Sequence, residues 1–374
     1  MTQPAAAAAA PSRRPFITAN QVTVARMVLL PLPCAMVLYG SVPQQWVALV
    51  IYTLMGITDW VDGYLARKYG PTVLGGLLDP VADKVFIAAV LMPLSFFKLA
   101  HPAVIMAILF REFLITSLRS VMSLQGTAVK TSVLAKLKTA IQMAGAGFIF
   151  IIYRMPDDTD ARVTLGMFAA GAVLFMAWRW RAAGKLNPLV SVPCAMIVLS
   201  FLVRLALDAD DAVTVHWGVI LVFTWASALD YLSGAAGVLK RGSAVQGLGR
   251  LLWSVVAGLG LPYVMVHLPE VTPVWVLLLG AELTSGAVDN LRCHEGEVPK
   301  PWSYPLRALV LAAGTVGILA LPSDGRMGSP AFLGALGLAF GMSLWTSLDF
   351  YMARRIIWGD QAVAPQSVQG SVGR

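Results

Sequence analysis

"DWVDGYLARKYGPTVLGGLLDPVADK", residues 59–84, sets four aspartates, an arginine and several glycines into a chain that is otherwise oily. Of the 374 residues, 57% are hydrophobic and 13% charged, and the mean hydropathy is +0.72. That composition excludes an ordinary soluble globule and indicates a polytopic membrane protein. Apolar windows lie near 19–40, 46–68, 84–98, 102–123, 135–154 and 163–180, and again near 187–206, 214–238, 251–266, 272–291, 303–321 and 330–352. They predict an all-α integral membrane fold of about twelve transmembrane helices.

Orientation follows from the basic residues. Arg13, Arg14, Arg67, Lys68, Arg119, Lys130, Lys136, Lys138, Arg179, Lys240, Arg250 and Arg354 fall on one side of such a topology, while the other side holds mainly Lys98, Arg154, Arg162 and Arg326. The positive-inside rule then places the opening stretch and both termini on the cytoplasmic face of the cell (inner) membrane. The net charge of +8 faces anionic lipid head groups there. Nucleic acid is a poor partner, because the basic residues flank spans and have no nucleic-acid motif beside them. The N-terminal "MTQPAAAAAAPSRRPF" and the final "GDQAVAPQSVQGSVGR" read as disordered tails. Cys34, Cys194 and Cys293 are too few and too scattered for a disulfide framework or a zinc site.

The chemistry starts from spacing. Asp59, Asp62 and Ala66, at i, i+3 and i+7, share one helical face; Asp79 and Asp83, at i and i+4, share a face of the next helix. Gly70, Pro71, Gly75 and Gly76 are expected to form the turn between them. Carboxylates converging at membrane depth repel one another, and intramembrane charge is expensive; a divalent cation relieves both costs. An all-oxygen set suits magnesium, manganese or calcium rather than zinc, and magnesium commonly brings a phosphorylated substrate with it. A proton relay or cation pathway also uses clustered aspartates. Against it, Gly63 and Ala66 clear side-chain bulk beside the acids, so a flat group could lie there while Arg67 reaches a phosphate.

Asp59-x-x-Asp62-Gly63-x-x-Ala66-Arg67, followed after seven residues by Gly75-x-x-x-Asp79-x-x-x-Asp83, resembles the signature of the CDP-alcohol phosphotransferases. Asn20-x-x-Thr23-x-x-Arg26 is similar to a second, N-terminal pattern of that family. The resemblance implies transfer of a phosphatidyl or similar group from a CDP-linked donor to an alcohol, with two divalent ions, Mg2+ or Mn2+. It implies Asp59, Asp62, Asp79 and Asp83 as metal ligands, with Asp83 as general base beside Asp79. Asn20, Thr23, Gly63, Ala66, Arg67 and Gly75 are implied at the CDP donor.

The next polar concentration is "REFLITSLRSVMSLQGTAVKTSVLAKLKTAIQM", residues 111–143. Positive-inside flanking explains basic residues at a cytoplasmic mouth, but not Arg111 and Glu112 inside an apolar helix. A pocket of Arg111, Arg119, Lys130, Lys136 and Lys138 suits an acceptor that already carries a phosphate. The stretch resembles the Arg-Glu and Lys-x-Lys-Thr segments of phosphatidylglycerophosphate synthases, which implies CDP-diacylglycerol as donor and glycerol 3-phosphate as acceptor. Ala135 departs from the glycine usual there. Cardiolipin synthases share similar segments, so phosphatidylglycerol, inositol phosphate or another alcohol stays open as acceptor.

Family members typically need about six spans, and an internal repeat accounts for the excess. An offset of 171 sets Asp59 on Asp230, Gly63 on Gly234 and Gly76 on Gly247; an offset of 170 sets Glu112 on Glu282, Gly126 on Gly296 and Lys130 on Lys300. The expectation is two six-helix repeats joined near "RAAGKLNP", 181–188: a catalytic domain over 1–183, a degenerate structural copy over 184–358 and a tail over 359–374. In the second copy Ser233 stands opposite Asp62, Val238 opposite Arg67, Arg250 opposite Asp79 and Ser254 opposite Asp83. The copies are expected to form an intrachain pseudo-dimer in which Arg250 pairs with Asp230. A transporter or scaffold on a dead transferase fold is the reading from another class; an aspartate set kept whole in one copy and lost in the other argues against it.

Overall fold

The computed structural model describes residues 17–70, 72–124, 133–155, 157–239, 244–297, 300 and 302–358. Both expected tails, Lys130 and Gly126 lie outside that range, as do the side chains of Asp59, Lys136, Asp230 and Val238. Every regular element among the described residues is helical.

Helix α1 (Ala19–Leu29) starts at a capping box in which the Thr18 side chain accepts from Gln21 N and the Gln21 side chain accepts from Thr18 N. It runs through Leu30 into α2 (Pro31–Tyr39), where Pro31 opens the new helix. Helix α3 (Val42–Tyr69) ends at Gly70, whose φ of +100° favours glycine. Helix α4 (Val73–Phe96) follows almost at once. The expected turn was drawn too long: Thr72 caps α4 by accepting from Gly75 N at 2.9 Å, so Gly75 and Gly76 belong to the helix. A glycine pair reads locally as a breaker, but the cap and the apolar face behind it prevail.

Then come α5 (Pro102–Leu124), α6 (Val133–Arg154) and α7 (Asp158–Ala183). The carboxylate of Asp157 accepts from Thr159 N and Asp160 N at the start of α7, and these bonds hold it below the usual carboxylate range. Gly184, left-handed at φ +63°, closes α7, and Pro188 opens α8 (Pro188–Ala206), so the join near 181–188 is a short break between helices. The second half continues with α9 (Ala209–Leu239), α10 (Ala244–Val255), a π turn (Val256–Gly260) and α11 (Leu261–His267). After a 3-10 turn come α12 (Thr272–His294), α13 (Ser303–Leu319), α14 (Pro330–Met352) and the short α15 (Arg354–Trp358).

Among the described residues, five segments are long and apolar enough to cross a membrane: Ala19–Tyr39, Asp158–Ala183, Ala209–Ser233, Gly247–His267 and Pro330–Met352. Length does not set them apart from α3, α4, α5, α6 and α12. Those helices carry charged residues of the chain's polar clusters, such as Asp62, Asp79, Glu112, Lys138 and Glu282.

One hydrophobic cluster runs through both halves, from Leu30 and Val85 to Leu311 and Met342. Helix α5 lies at its centre, packed on α9, α10, the π turn and α12. At the π turn the approach is backbone to backbone: a Cβ on Gly258 would lie 2.5 Å from Phe110 Cα, so the crossing needs glycine. Next to it the Phe113 and Trp253 rings meet edge to face at 5.2 Å. The halves therefore share a core instead of folding around two.

Candidate active site

Helix α1 supplies the centre of the site. Asn20, Thr23 and Arg26 recur every three residues, and α1 packs against both α3 and α4. Thr23 is fully buried; its hydroxyl lies 3.0 Å from Asp62 Oδ2 and 3.3 Å from Asp79 Oδ1. One turn on, Arg26 Nη2 is 3.8 Å from Asp62 Oδ2 and 3.6 Å from Asp83 Oδ1. Asp62 on α3 and Asp79 and Asp83 on α4 thus converge on one threonine and one arginine. Asp62 is buried, whereas Asp79 and Asp83 open to solvent.

Arg67 folds back along α3. A Cβ on Gly63 would sit 3.4 Å from Arg67 Nη1, so the guanidinium lies over the bare glycine. Asn20 Oδ1 accepts from the Thr72 hydroxyl at 3.1 Å, and a Cβ on Gly75 would approach that oxygen to 2.9 Å. Glycine at 75 is what lets α1 lie against the start of α4.

No set of three acidic, histidine or cysteine side chains forms a metal cage among the described residues, Thr23 and Arg26 standing between the carboxylates. The carboxylate oxygens of Asp62, Asp79 and Asp83 are nevertheless the donor type that a hard divalent ion takes.

Behind this centre lies a second cluster. Glu112, buried in α5, accepts from Lys138 Nζ of α6 at 2.6 Å and from Arg111 Nη1 at 3.2 Å. Lys84 of α4 donates to the Thr116 hydroxyl, and Thr116 donates to Glu112 O at 2.8 Å. Lys84 directly follows Asp83 on α4 and bonds to Thr116 of α5, so the two clusters adjoin. Sequence reasoning missed Lys84: its neighbour Asp83 faces α1, and one residue of helix turns the lysine toward α5. Of the proposed acceptor cations, Arg111 and Lys138 meet at Glu112, whereas Arg119 points to Tyr231 of α9, donating to its hydroxyl at 2.6 Å.

One turn before Asp59 on α3, an apolar cavity of about 650 Å³ opens between α3, α4, α6 and α7, lined by Leu54, Ile57, Phe86, Met143 and Phe168 among others. Its lining offers almost no polar partner.

The comparisons with known proteins fall on this same part of the chain. Residues 16–179 match the CDP-alcohol phosphatidyltransferase family. The CDP-diacylglycerol--glycerol-3-phosphate 3-phosphatidyltransferase of Bacillus subtilis is 34% identical over 156 residues, 38% of this chain and 80% of that protein. The chain belongs to the CDP-alcohol phosphatidyltransferase family. Proteins of the same name from Haemophilus influenzae (36% identical over 151 residues, 38% of this chain and 80% of that one) and Sodalis glossinidius (34% over 163 residues, 41% and 85%) are also similar. No solved structure matches.

The family match stops before α8. In the second half of this phosphatidyltransferase, Arg250 is buried and gives Nε and Nη2 to the two oxygens of Asp289, each at 3.0 Å. The expected partner, Asp230, has a side chain outside the described residues. Ser254 shares a short 2.5 Å hydrogen bond with Ser117 of α5. Glu282, buried like Glu112, accepts from Arg307 at 2.8 and 2.9 Å and from Trp253 Nε1 at 2.6 Å.

Proposed function

We propose that the protein transfers a phosphatidyl group from CDP-diacylglycerol to glycerol 3-phosphate, releasing CMP, as a step of phospholipid biosynthesis at the cytoplasmic face of the cell membrane. The observation that carries this reading is the adjacency of the aspartate centre to a cluster in which Lys84, Arg111 and Lys138 face the single acid Glu112. That cluster keeps an excess of positive charge for a phosphate, next to acids that suit a divalent ion.

The roles follow from position. Asp59, Asp62, Asp79 and Asp83 would hold Mg2+ or Mn2+, which when bound neutralises charge on the phosphoryl oxygens. Arg67, over Gly63, binds the donor's phosphates while the cytidine lies along Gly63 and Ala66. The cavity beside α3 accepts the acyl chains. The acceptor hydroxyl oxygen bonds to the phosphorus that carries diacylglycerol, the bond from that phosphorus to the bridging oxygen breaks, and CMP leaves with the electron pair. Asp83, half-exposed and near Arg26, orients the hydroxyl and takes its proton late.

Purified protein incubated with CDP-diacylglycerol, magnesium or manganese, and a panel of glycerol 3-phosphate, phosphatidylglycerol, inositol phosphate and glycerol tests the reaction through CMP release. Lys138→Ala is expected to raise the KM for glycerol 3-phosphate about tenfold, with the KM for CDP-diacylglycerol little changed. An uncharged acceptor used equally well by wild type and variant would rule out glycerol 3-phosphate.

The proposal extends to architecture. The described helices coincide with the apolar windows, which supports about twelve spans in two six-helix repeats, with residues 1–183 active and 184–358 structural. The Glu282 and Arg307 pair supports the repeat, and the shared core supports an intrachain pseudo-dimer. Light scattering of the detergent-purified protein is then expected to give a monomer; an obligate dimer through the first half would refute the arrangement.

A further inference from the structure

Helix α9 carries Thr224, Ser227 and Tyr231 at i, i+3 and i+7, on one face of a largely apolar helix, and all three are buried. Buried polar groups are costly unless bonded. Each has a side-chain partner in the first half: Gln142 Nε2 donates to Thr224 Oγ1 at 2.9 Å, Arg111 Nη2 to Ser227 Oγ at 2.6 Å, and Arg119 Nη2 to the Tyr231 hydroxyl at 2.6 Å. The Ser227 proton goes to Thr224 O at 3.0 Å, which turns a lone pair toward Arg111. The Arg119 guanidinium also lies 5.2 Å from the Tyr231 ring centre. At the repeat offset of 171 the matching residues are Thr53, Gly56 and Trp60, so the serine and the tyrosine have no counterpart in the active copy.

We propose that Ser227 and Tyr231 are positioning residues of the acceptor site, supplied by the degenerate half to hold Arg111 and Arg119 toward the acceptor's phosphate. The inference rests on the reading of a phosphorylated acceptor given above. A neutral hydroxyl fixes a guanidinium without cancelling it, so an arginine held this way keeps its charge for a ligand. The buried arginines of the second half show the opposite arrangement: Arg250 is bound by Asp289, and Arg307 by Glu282 and Asp349. Those pairs are neutralised within the protein and serve the fold. Around Glu112, one carboxylate faces Lys84, Lys138 and Arg111, so it cannot neutralise all three, and the Ser227 hydroxyl also holds Arg111; Arg119, two turns further along α5, is held by the Tyr231 hydroxyl. An arginine side chain loses substantial rotamer freedom when it binds an anion, and prior positioning reduces that loss.

The test uses the full chain in mixed micelles. Ser227→Ala and Tyr231→Phe, the latter keeping the ring, are each assayed for CMP release with glycerol 3-phosphate varied at saturating CDP-diacylglycerol, and then with the donor varied. Each is expected to raise the KM for glycerol 3-phosphate about tenfold, leaving kcat and the donor KM within about twofold; Ser227→Thr, which restores a hydroxyl, recovers wild-type values. Unchanged acceptor KM in both variants, or both KM values rising together, overturns the proposal. A wild-type protein that releases CMP only with an uncharged acceptor overturns the functional reading itself, a distinct result.

Discussion

Asp79→Asn and Asp83→Asn are each expected to lower CMP release by at least about a hundredfold while the protein stays folded. Neither side chain packs the core: Asp79 is exposed and Asp83 half-exposed. Asparagine keeps the volume and the capacity to accept from Thr23, so what is lost is negative charge. At Asp79 the loss falls on ion binding. At Asp83 it falls also on the group that takes the acceptor's proton. Asp62→Asn is a less clean probe, because Asp62 is buried against Thr23 and Arg26 and its neutralisation disturbs packing as well as chemistry. CMP release and thermal melting of both purified variants decide the matter, and activity within a few-fold of wild type in both would refute the assignment of the centre.

The aspartate centre was legible because helical spacing alone puts Asp59 with Asp62 and Asp79 with Asp83 on common faces. What spacing could not give was the wedge between them. Thr23 and Arg26 matched a pattern, yet only packing of α1 against α3 and α4 sets Thr23 between Asp62 and Asp79. Lys84 went unnoticed since a lysine next to an acidic motif reads as its flank.

The second half was less legible still. The expectation for Arg250 came from setting the two halves on one another, which brings in Asp230 but not Asp289 on α12, the acid with which the arginine makes its bidentate contact. The polar stripe of α9 was visible at its helical spacing, but the apolar window around it masks three hydroxyl-bearing residues. Their meaning lies in α5 and α6, distant in sequence by about a hundred residues, and such contacts belong to the shared core.

Glu282→Gln is expected to destabilise the protein by about 3 kcal/mol without altering the KM for the acceptor. Glu282 is fully buried and receives both Arg307 and Trp253; glutamine keeps one accepting oxygen but removes the charge and turns an amide NH2 toward one of these donors, so Arg307 keeps Asp349 as its carboxylate beside Thr346. The aligned acid of the first half behaves differently. Glu112→Gln leaves Lys138, Arg111 and nearby Lys84 with their mutual repulsion unopposed, so it lowers stability and also raises the acceptor KM. A second comparison separates broken pair from missing pair. Removing one partner of a buried ion pair strands the other, whereas replacing both with apolar groups strands neither. The double change Glu282→Leu with Arg307→Met should therefore melt above Glu282→Gln, though below wild type, because Trp253 Nε1 and Asp349 lose their partners. Thermal melting and acceptor KM measured together on all three proteins test the division of labour between the halves. If Glu282→Gln raises the acceptor KM as Glu112→Gln does, the second half takes part in acceptor binding through its own buried pair, and its purely structural assignment fails.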